Sequence, residues 1–287
     1  MNSTDKDTSF SGISFLDCNG KIINLEKPVV MGILNITPDS FFDGGKYLTT
    51  NAVIQRAEKI LDEGGSIIDL GAVSTRPGAK QISESEELNR LLPALNAILK
   101  AYPHAIVSVD TYRASIAQKV VDSGASIIND ISGGSMDLQM FSTIAKLKVP
   151  YILMHMKGTP QNMQINPQYS NAVNEIKKIL RDKINDLHAL GFKNIIVDPG
   201  FGFGKSVEHN YEILNRLAEF KTFGYPVLAG MSRKSMINKV LKINPAEALN
   251  GTTVVNTIAI CNGADILRVH DVKEAVETIK ITEMLKR

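Results

Sequence analysis

The run VVMGILN, residues 29–35, is apolar at consecutive positions until it ends on an asparagine, and it is the first of eight such runs. Its hydrophobic residues do not alternate with polar ones, so it reads as a strand covered on both faces, as in a parallel sheet. The same signature returns in SIIDL (66–70), AIVSVD (105–110), SIIND (126–130), YILMHM (151–156), NIIVD (194–198), PVLAGM (226–231) and DILRVH (265–270). Segments of helical period lie between them. Val53, Ala57, Ile60 and Leu61 share one face. Val173, Ile176, Leu180, Ile184 and Leu187 share another, closed by Gly191 as a C-cap, and Val272, Ala275, Val276 and Ile279 share a third. Ser83-x-x-Glu86 and Asp271-x-x-Glu274 have the pattern of reciprocal N-caps. Eight strands alternating with helices predict one (β/α)8 TIM barrel over residues 1–287, a fold of typically ~250 residues. A doubly wound open sheet is the rival; the count of eight and the absence of a second domain speak against it. Upstream, ISFLD and KIINL flank Cys18-Asn19-Gly20, and an Asn-Gly turn between apolar runs predicts a β-hairpin. With the N-terminal tail it makes up residues 1–27, and it is expected to plug the N-terminal end of the barrel.

Bulk properties narrow the function by exclusion. Lys plus Arg number 32 against 30 Asp plus Glu, so the net charge of +2 gives no support to a nucleic-acid or polybasic membrane surface. No apolar run approaches the ~20 residues of a membrane span, and the polar start of the chain has no signal-peptide core. A cytoplasmic protein is expected. Cys18 and Cys261 are far apart and lack a CxxC or His-rich context, which argues against a disulfide framework or zinc site. Cys261, in a helical segment, reads as core, and His104, His188 and His209 read as surface.

The strand ends are more telling. In order they carry Asn35, Asp69, Asp110, Asn129-Asp130, His155, Asp198, Ser232-Arg233-Lys234 and Arg268-x-His270. Strand C-termini open on the active-site face of a TIM barrel. A single Asp or Asn there would as readily cap the next helix, but eight polar ends at one mouth exceed what packing requires. Two Gly- and Pro-rich connections, residues 37–50 and 71–82, have the length of lids or binding loops, and a third follows His155. Arg233, Lys234, Arg268 and His270 cluster on the seventh and eighth runs, where barrels often bind phosphate. The segment GFGFGK (200–205) matches neither GxGxxG nor a Walker loop. Its glycines are expected to bring backbone close to a planar ligand, with Phe203 as an apolar wall. No nucleophile motif is present.

The ordered set MGILNITPDSFFDGG (31–45), STRPGA (74–79), SVDT (108–111), INDI (128–131), DPGFGFGK (198–205), SRKS (232–235) and LRVH (267–270) resembles dihydropteroate synthase, over nearly the whole chain. The resemblance implies an enzyme of folate synthesis that joins p-aminobenzoate to 6-hydroxymethyl-7,8-dihydropterin pyrophosphate, through a dissociative substitution at the pterin methylene. It implies that Asp110, Asn129 and Asp198 read the amino-pyrimidine edge of the pterin, with Lys234 on the ring's polar atoms and Thr75 in the second loop. Arg268 would lie over the pterin face and reach the pyrophosphate beside His270, and Asn35 would help hold Mg2+ there. Phe41, Pro77, Phe203 and Ser232 would line the p-aminobenzoate slot, while Asp39 and Arg76 would complete the closed site. A homodimer through outer helices and a slot open to sulfonamides are further implications. One departure stands out: the family usually has Gly-Gly-Glu before Ser-Thr-Arg, whereas this chain has Gly71-Ala72-Val73, which puts the seating of the second loop in question. Two alternatives share the pterin readers. A methyltetrahydrofolate-dependent methyltransferase domain would not need TPDSF, STRPG or SRKS. A non-catalytic pterin- or anion-binding paralogue would not need the cation cluster or Asn35.

Overall fold

The structure, a computed structural model, describes residues 13–36, 50–73 and 82–286. It opens with the expected antiparallel hairpin, β1 (Phe15–Asp17) paired with β2 (Ile22–Asn24). Asn19 and Gly20 turn it with φ of 61° and 80°, the left-handed pair that a two-residue hairpin loop demands. Eight parallel strands follow: β3 (Val29–Asn35), β4 (Ile67–Gly71), β5 (Val107–Asp110), β6 (Ile127–Asp130), β7 (Tyr151–Met154), β8 (Ile195–Asp198), β9 (Leu228–Ala229) and β10 (Ile266–Val269). Their order is β8-β7-β6-β5-β4-β3-β10-β9. A parallel bridge between Val197 and Val227 joins the two ends, so the sheet closes and the open-sheet alternative falls. Around it run α1 (Thr50–Asp62), α2 (Glu84–Ala101), α3 (Ala114–Asp122), α4 (Met140–Leu147), α5 (Ala172–Ala189), α6 (Val207–Asn215), α7 (Ser235–Leu241), α8 (Leu249–Cys261) and α9 (Val272–Glu283).

Side chains on a strand alternate faces with a period of two, and that alternation sorts the core into two parts. Val30, Leu34, Ile68, Leu70, Val107, Val109, Ile128, Leu153, Ile195, Val197, Leu267 and Val269 join the large cluster shared with the helices. The intervening positions Met31, Ile67, Ile127, Ile152, Ile196, Leu228 and Ile266 form a separate cluster, and the hairpin adds Leu16, Cys18, Ile23 and Leu25 to it. This second cluster is the floor of the barrel, and the hairpin is its plug. The plug is tied to the rim by Asn19 on the Ala125 carbonyl, Lys21 on that of Ala105, and Asn194 on that of Asp17.

The helix ends depart from expectation at two points. Gly191 ends α5 as predicted, with its N–H on the His188 carbonyl and that of Phe192 on Leu187, a Schellman pattern. Ser83 caps α2 through the Glu86 N–H, but Glu86 pairs with Arg90 instead of reaching back. Asp271 makes no side-chain cap on α9; its carboxylate is taken by Arg233. A reciprocal cap forms instead at Ser206 and His209 on α6, which leaves His209 half-buried rather than on the surface. Cys261 is exposed at the end of α8, not core. Among the described residues, no helix is long and apolar enough to cross a membrane.

Candidate active site

Counting two residues up from each floor position gives the next interior layer, and here the barrel changes character. Asp69, Ser108, Asn129, Asp198, Gly230 and Arg268 occupy it beside the apolar Ile33 and Met154, and two further along come Asn35, Asp110, Ser232 and His270. Asp69, Ser108, Asn129, Asp198 and Arg268 thus sit directly above an apolar floor, on the inner face of their strands. Ser108 is fully buried, and its hydroxyl has no hydrogen-bond partner.

Arg268 ties this layer together. Its Nε donates to Asp69 Oδ2 at 2.7 Å and its Nη2 to Asp110 Oδ2 at 3.3 Å. Asn129 Nδ2 donates to the same Asp69 carboxylate at 3.2 Å. Burial opposes the charge on Arg268, but Asp69 and Asp110 outweigh it and raise the guanidinium's pKa. Asp110 is pushed up to about 7, first by burial and then by the neighbouring carboxylates of Asp69, Glu87 and Asp130, with Arg268 pulling the other way. Asn35 stands beside this pair: a Cβ on Gly71 would lie 3.1 Å from Asn35 Oδ1 and 3.6 Å from Asp110 Cβ.

Lys234 supplies the opposite wall. Its Nζ donates to the Phe201 carbonyl at 2.6 Å and lies 4.7 Å from the centre of the Phe203 ring. Burial lowers its pKa to about 8 against the attraction of Asp198. Burial likewise raises Asp198, which accepts from the Gly200 N–H at 2.7 Å. Gly230 lies between the cations, since a Cβ there would be 3.7 Å from Arg268 Cβ and 3.8 Å from Lys234 Nζ. Asp110, Asn129, Asp198, Lys234 and Arg268 therefore face one mouth.

His270 and Ser232 complete the rim, with His270 Nδ1 3.0 Å from the Ser232 hydroxyl. Burial and then Arg268 bring His270 down to about 4, so at neutral pH it is a hydrogen-bonding imidazole and not a cation. Arg233 also leaves the expected cation cluster. Its Nε and Nη2 hold the Asp271 carboxylate at 2.9 and 2.8 Å, and its Nη1 binds the carbonyls of Pro245 and Ala246. It is a brace between the turns after β9 and β10.

Three further expectations change. Asp130 and His155 fall on the helix-facing side of their strands. Asp130 accepts from Ser132, Gly134 and the Tyr151 hydroxyl, and His155 packs against Lys205. The glycines of GFGFGK serve a close approach to the protein itself: a Cβ on Gly200 would collide with the His155 carbonyl, and one on Gly204 with that of Lys157. Asp69, named only as a strand end, proves to be the anion on which both Arg268 and Asn129 depend. Its place two residues above Ile67 was the available signal. Asp39, Phe41, Thr75, Arg76 and Pro77, with most of the two expected lids, lie outside the described residues.

Comparison with known proteins fits this geometry. The family described as pterin binding enzyme matches residues 31–270. Dihydropteroate synthase of Haemophilus influenzae is 42% identical over 268 residues, covering 93% of this chain and 97% of that protein. The chain belongs to the dihydropteroate synthase family. Dihydropteroate synthase of Yersinia pestis, solved as a sulfonamide drug complex, superposes with a TM-score of 0.90 at 40% identity, covering 95% of this chain and 99% of that one. That of Xanthomonas albilineans in complex with 7,8-dihydropteroate superposes with a TM-score of 0.85 at 33% identity, over 95% and 98% of the two chains. As a member of the dihydropteroate synthases, the chain is a transferase of folate synthesis.

Proposed function

We propose that the mouth formed by Asp110, Asn129, Asp198, Lys234 and Arg268 binds 6-hydroxymethyl-7,8-dihydropterin pyrophosphate and joins its methylene to the amine of p-aminobenzoate, releasing pyrophosphate. The observation that carries the reading is the convergence of carboxylates, an amide and two cations above an apolar floor, on residues of one family's motifs. Carboxylates and an amide give paired acceptors to the guanidine-like edge of a pterin. Lys234 donates to the ring's acceptor atoms, and the planar Arg268 guanidinium, fixed edge-on by Asp69, presents its face to the heterocycle.

The carbon–oxygen bond to pyrophosphate breaks with its electron pair going to the leaving oxygen. The methylene becomes cation-like, the aniline nitrogen donates its lone pair to that carbon, and one amine proton is lost to solvent or a nearby base. The protein's part is charge stabilisation: Arg268 by its charge and His270 through an N–H, both aimed at the departing phosphate oxygens. Asp39 is assigned to steadying the cation or the incoming amine, and Arg76 to closing the site. Thr75 is assigned to the pterin substrate, and Phe41, Pro77, Phe203 and Ser232 to the p-aminobenzoate slot.

Asn35 is the proposed protein ligand for Mg2+. Among the described residues, no group of three His, Cys, Asp or Glu could hold a metal by itself. One neutral amide oxygen at the rim fits an ion that takes the rest of its shell from water and substrate phosphates. Bound there, magnesium would neutralise charge developing on the leaving pyrophosphate.

A second copy of the chain against α7 and α8 is supported by the exposed side chains of Val240, Leu241, Val254 and Ile258, and light scattering of the purified protein checks this homodimer. A cytoplasmic location accords with a reaction among soluble metabolites. The deciding experiment is a coupled assay of pyrophosphate release. Release that depends on p-aminobenzoate, with dihydropteroate as product, is expected; methyl transfer to a corrinoid, or binding without turnover, would falsify the assignment.

A further inference from the structure

Lys205 ends the segment DPGFGFGK and is buried, with 3% of its surface exposed. Its Nζ lies 2.7 Å from the Gly200 carbonyl, 2.9 Å from that of Phe203 and 3.3 Å from that of His155, and 3.1 Å from His155 Nδ1. No carboxylate is among these contacts. A lysine amine set against carbonyls and an imidazole nitrogen works as a tie: it joins both ends of the turn at 200–203 to the end of β7. Burial, followed by Lys205, drives the His155 pKa far down, so the ring is neutral and free to accept at Nδ1, and Nε2 is left buried without a partner.

The tied turn carries two parts of the site. The Phe201 carbonyl seats Lys234, and the Phe203 ring lies against the Lys234 ammonium. Other contacts press on the same turn from outside: Gly202 donates to Asn210 Oδ1 at 2.7 Å and accepts from Gln164 Nε2 at 2.6 Å. Gly200 and Gly204 lie so close to the β7 side that the turn cannot move further that way. Movement the other way is opposed by Lys205 from within the turn and by Asn210 and Gln164 at Gly202.

We propose that Lys205 is a positioning residue for the aniline substrate: by tying the Gly200 and Phe203 carbonyls to the end of β7, it fixes Phe203 and the carbonyl that seats Lys234 before substrate arrives. The proposal rests on the reading that Phe203 lines the p-aminobenzoate slot. Asp198 and Lys234 also touch the turn, through the Gly200 N–H and the Phe201 carbonyl, whereas Asp110 and Asn129 do not, so pterin recognition loses part of its support with the tie and the aniline slot loses more.

The test is Lys205→Met, which keeps the stem and removes the donors. With pterin pyrophosphate saturating, KM for p-aminobenzoate is expected to rise about 10-fold, a loss of about 1.4 kcal/mol. KM for pterin pyrophosphate is expected to rise less, by about 3-fold, as Lys234 and Asp198 lose part of their support. A folded Lys205→Met with both constants unchanged and only a lower thermal midpoint overturns the proposal, as does an equal rise in both. If that variant does not fold, His155→Phe decides. It keeps a ring but removes the Nδ1 acceptor: a rise in KM for p-aminobenzoate of about 3-fold supports the tie, and an unchanged value overturns it. Wild-type protein with no p-aminobenzoate-dependent pyrophosphate release would remove the underlying functional reading, and the proposal with it.

Discussion

Arg268 and Asp69 meet over the barrel floor, Nε to Oδ2 at 2.7 Å, although β3 stands between their strands in the sheet. Asp69 is fully buried and also receives the Asn129 amide, so one carboxylate orients two groups assigned to the pterin. Removing one member of a buried ion pair costs about 3–5 kcal/mol because the other charge remains. Asp110, still within reach of Arg268, places Asp69→Asn at the lower end. Misplacing a substrate-orienting group by about 1 Å costs on the order of 100-fold in rate. Asp69→Asn is therefore expected to lower kcat/KM for pterin pyrophosphate by about 100-fold, with p-aminobenzoate saturating. Steady-state kinetics beside a denaturant curve checks it, and wild-type kinetics in the variant would sever Asp69 from the site.

The same carboxylate cluster sets a pH dependence. Asp110 has a raised pKa of about 7, so as pH falls through that value it gains a proton and loses an acceptor for the amino-pyrimidine edge. Lys234, lowered to about 8, loses its proton as pH rises through that value, and with it a donor. Affinity for the pterin should thus peak between the two and weaken on either side. The two limbs belong to interacting groups, so each reports the cluster. Calorimetric titration across the range checks it: a flat profile would mean that neither group faces the ligand, and Asp110→Asn should erase the acid limb.

Much of this arrangement was legible in the sequence. Uniform apolar runs gave all eight barrel strands, and Asn19-Gly20 gave the plugging hairpin with its turn residues. The pattern of polar ends locates the mouth, and the strand's two-residue period sorts those ends between its two faces. Applied from Ile127 and Ile152, that period keeps Asn129 inside and sends Asp130 and His155 to the helix side, where they are found. It also brings Asp69 inward above Ile67. Arg233 was beyond such counting, because the left-handed backbone at φ 57° turns it out of the strand's alternation and toward Asp271. The pairing of Lys205 with carbonyls was equally hidden, since it depends on how two loops meet and not on spacing within either.

Arg233 yields a prediction that separates a brace from a phosphate ligand. A charged hydrogen-bonded pair of this kind is worth about 2 kcal/mol, which for a chain of this size corresponds to a fall in Tm of about 3 °C. Asp271→Ala should show that fall. If Arg233 were a phosphate-binding cation held back by Asp271, the same variant would release it, and pyrophosphate would bind more tightly. We expect the affinity for pyrophosphate to stay the same or weaken; tightening by isothermal titration would return Arg233 to the cation cluster.

Asn35 provides the test of magnesium. It lies at the end of β3 beside Asp110, and one amide oxygen is a weak hold on a cation that keeps most of its water. Chelation by EDTA should therefore abolish pyrophosphate release quickly, and added Mg2+ should restore it in full. In Asn35→Ala the concentration of Mg2+ for half-maximal rate is expected to rise about 10-fold, the lower end of what lost support at a metal site costs. KM for p-aminobenzoate should not follow, because Asn35 is assigned to the pyrophosphate side. Release insensitive to EDTA would show that Arg268 and its neighbours carry the leaving group's charge without a metal, and Asn35 would then be left as the polar end of a strand.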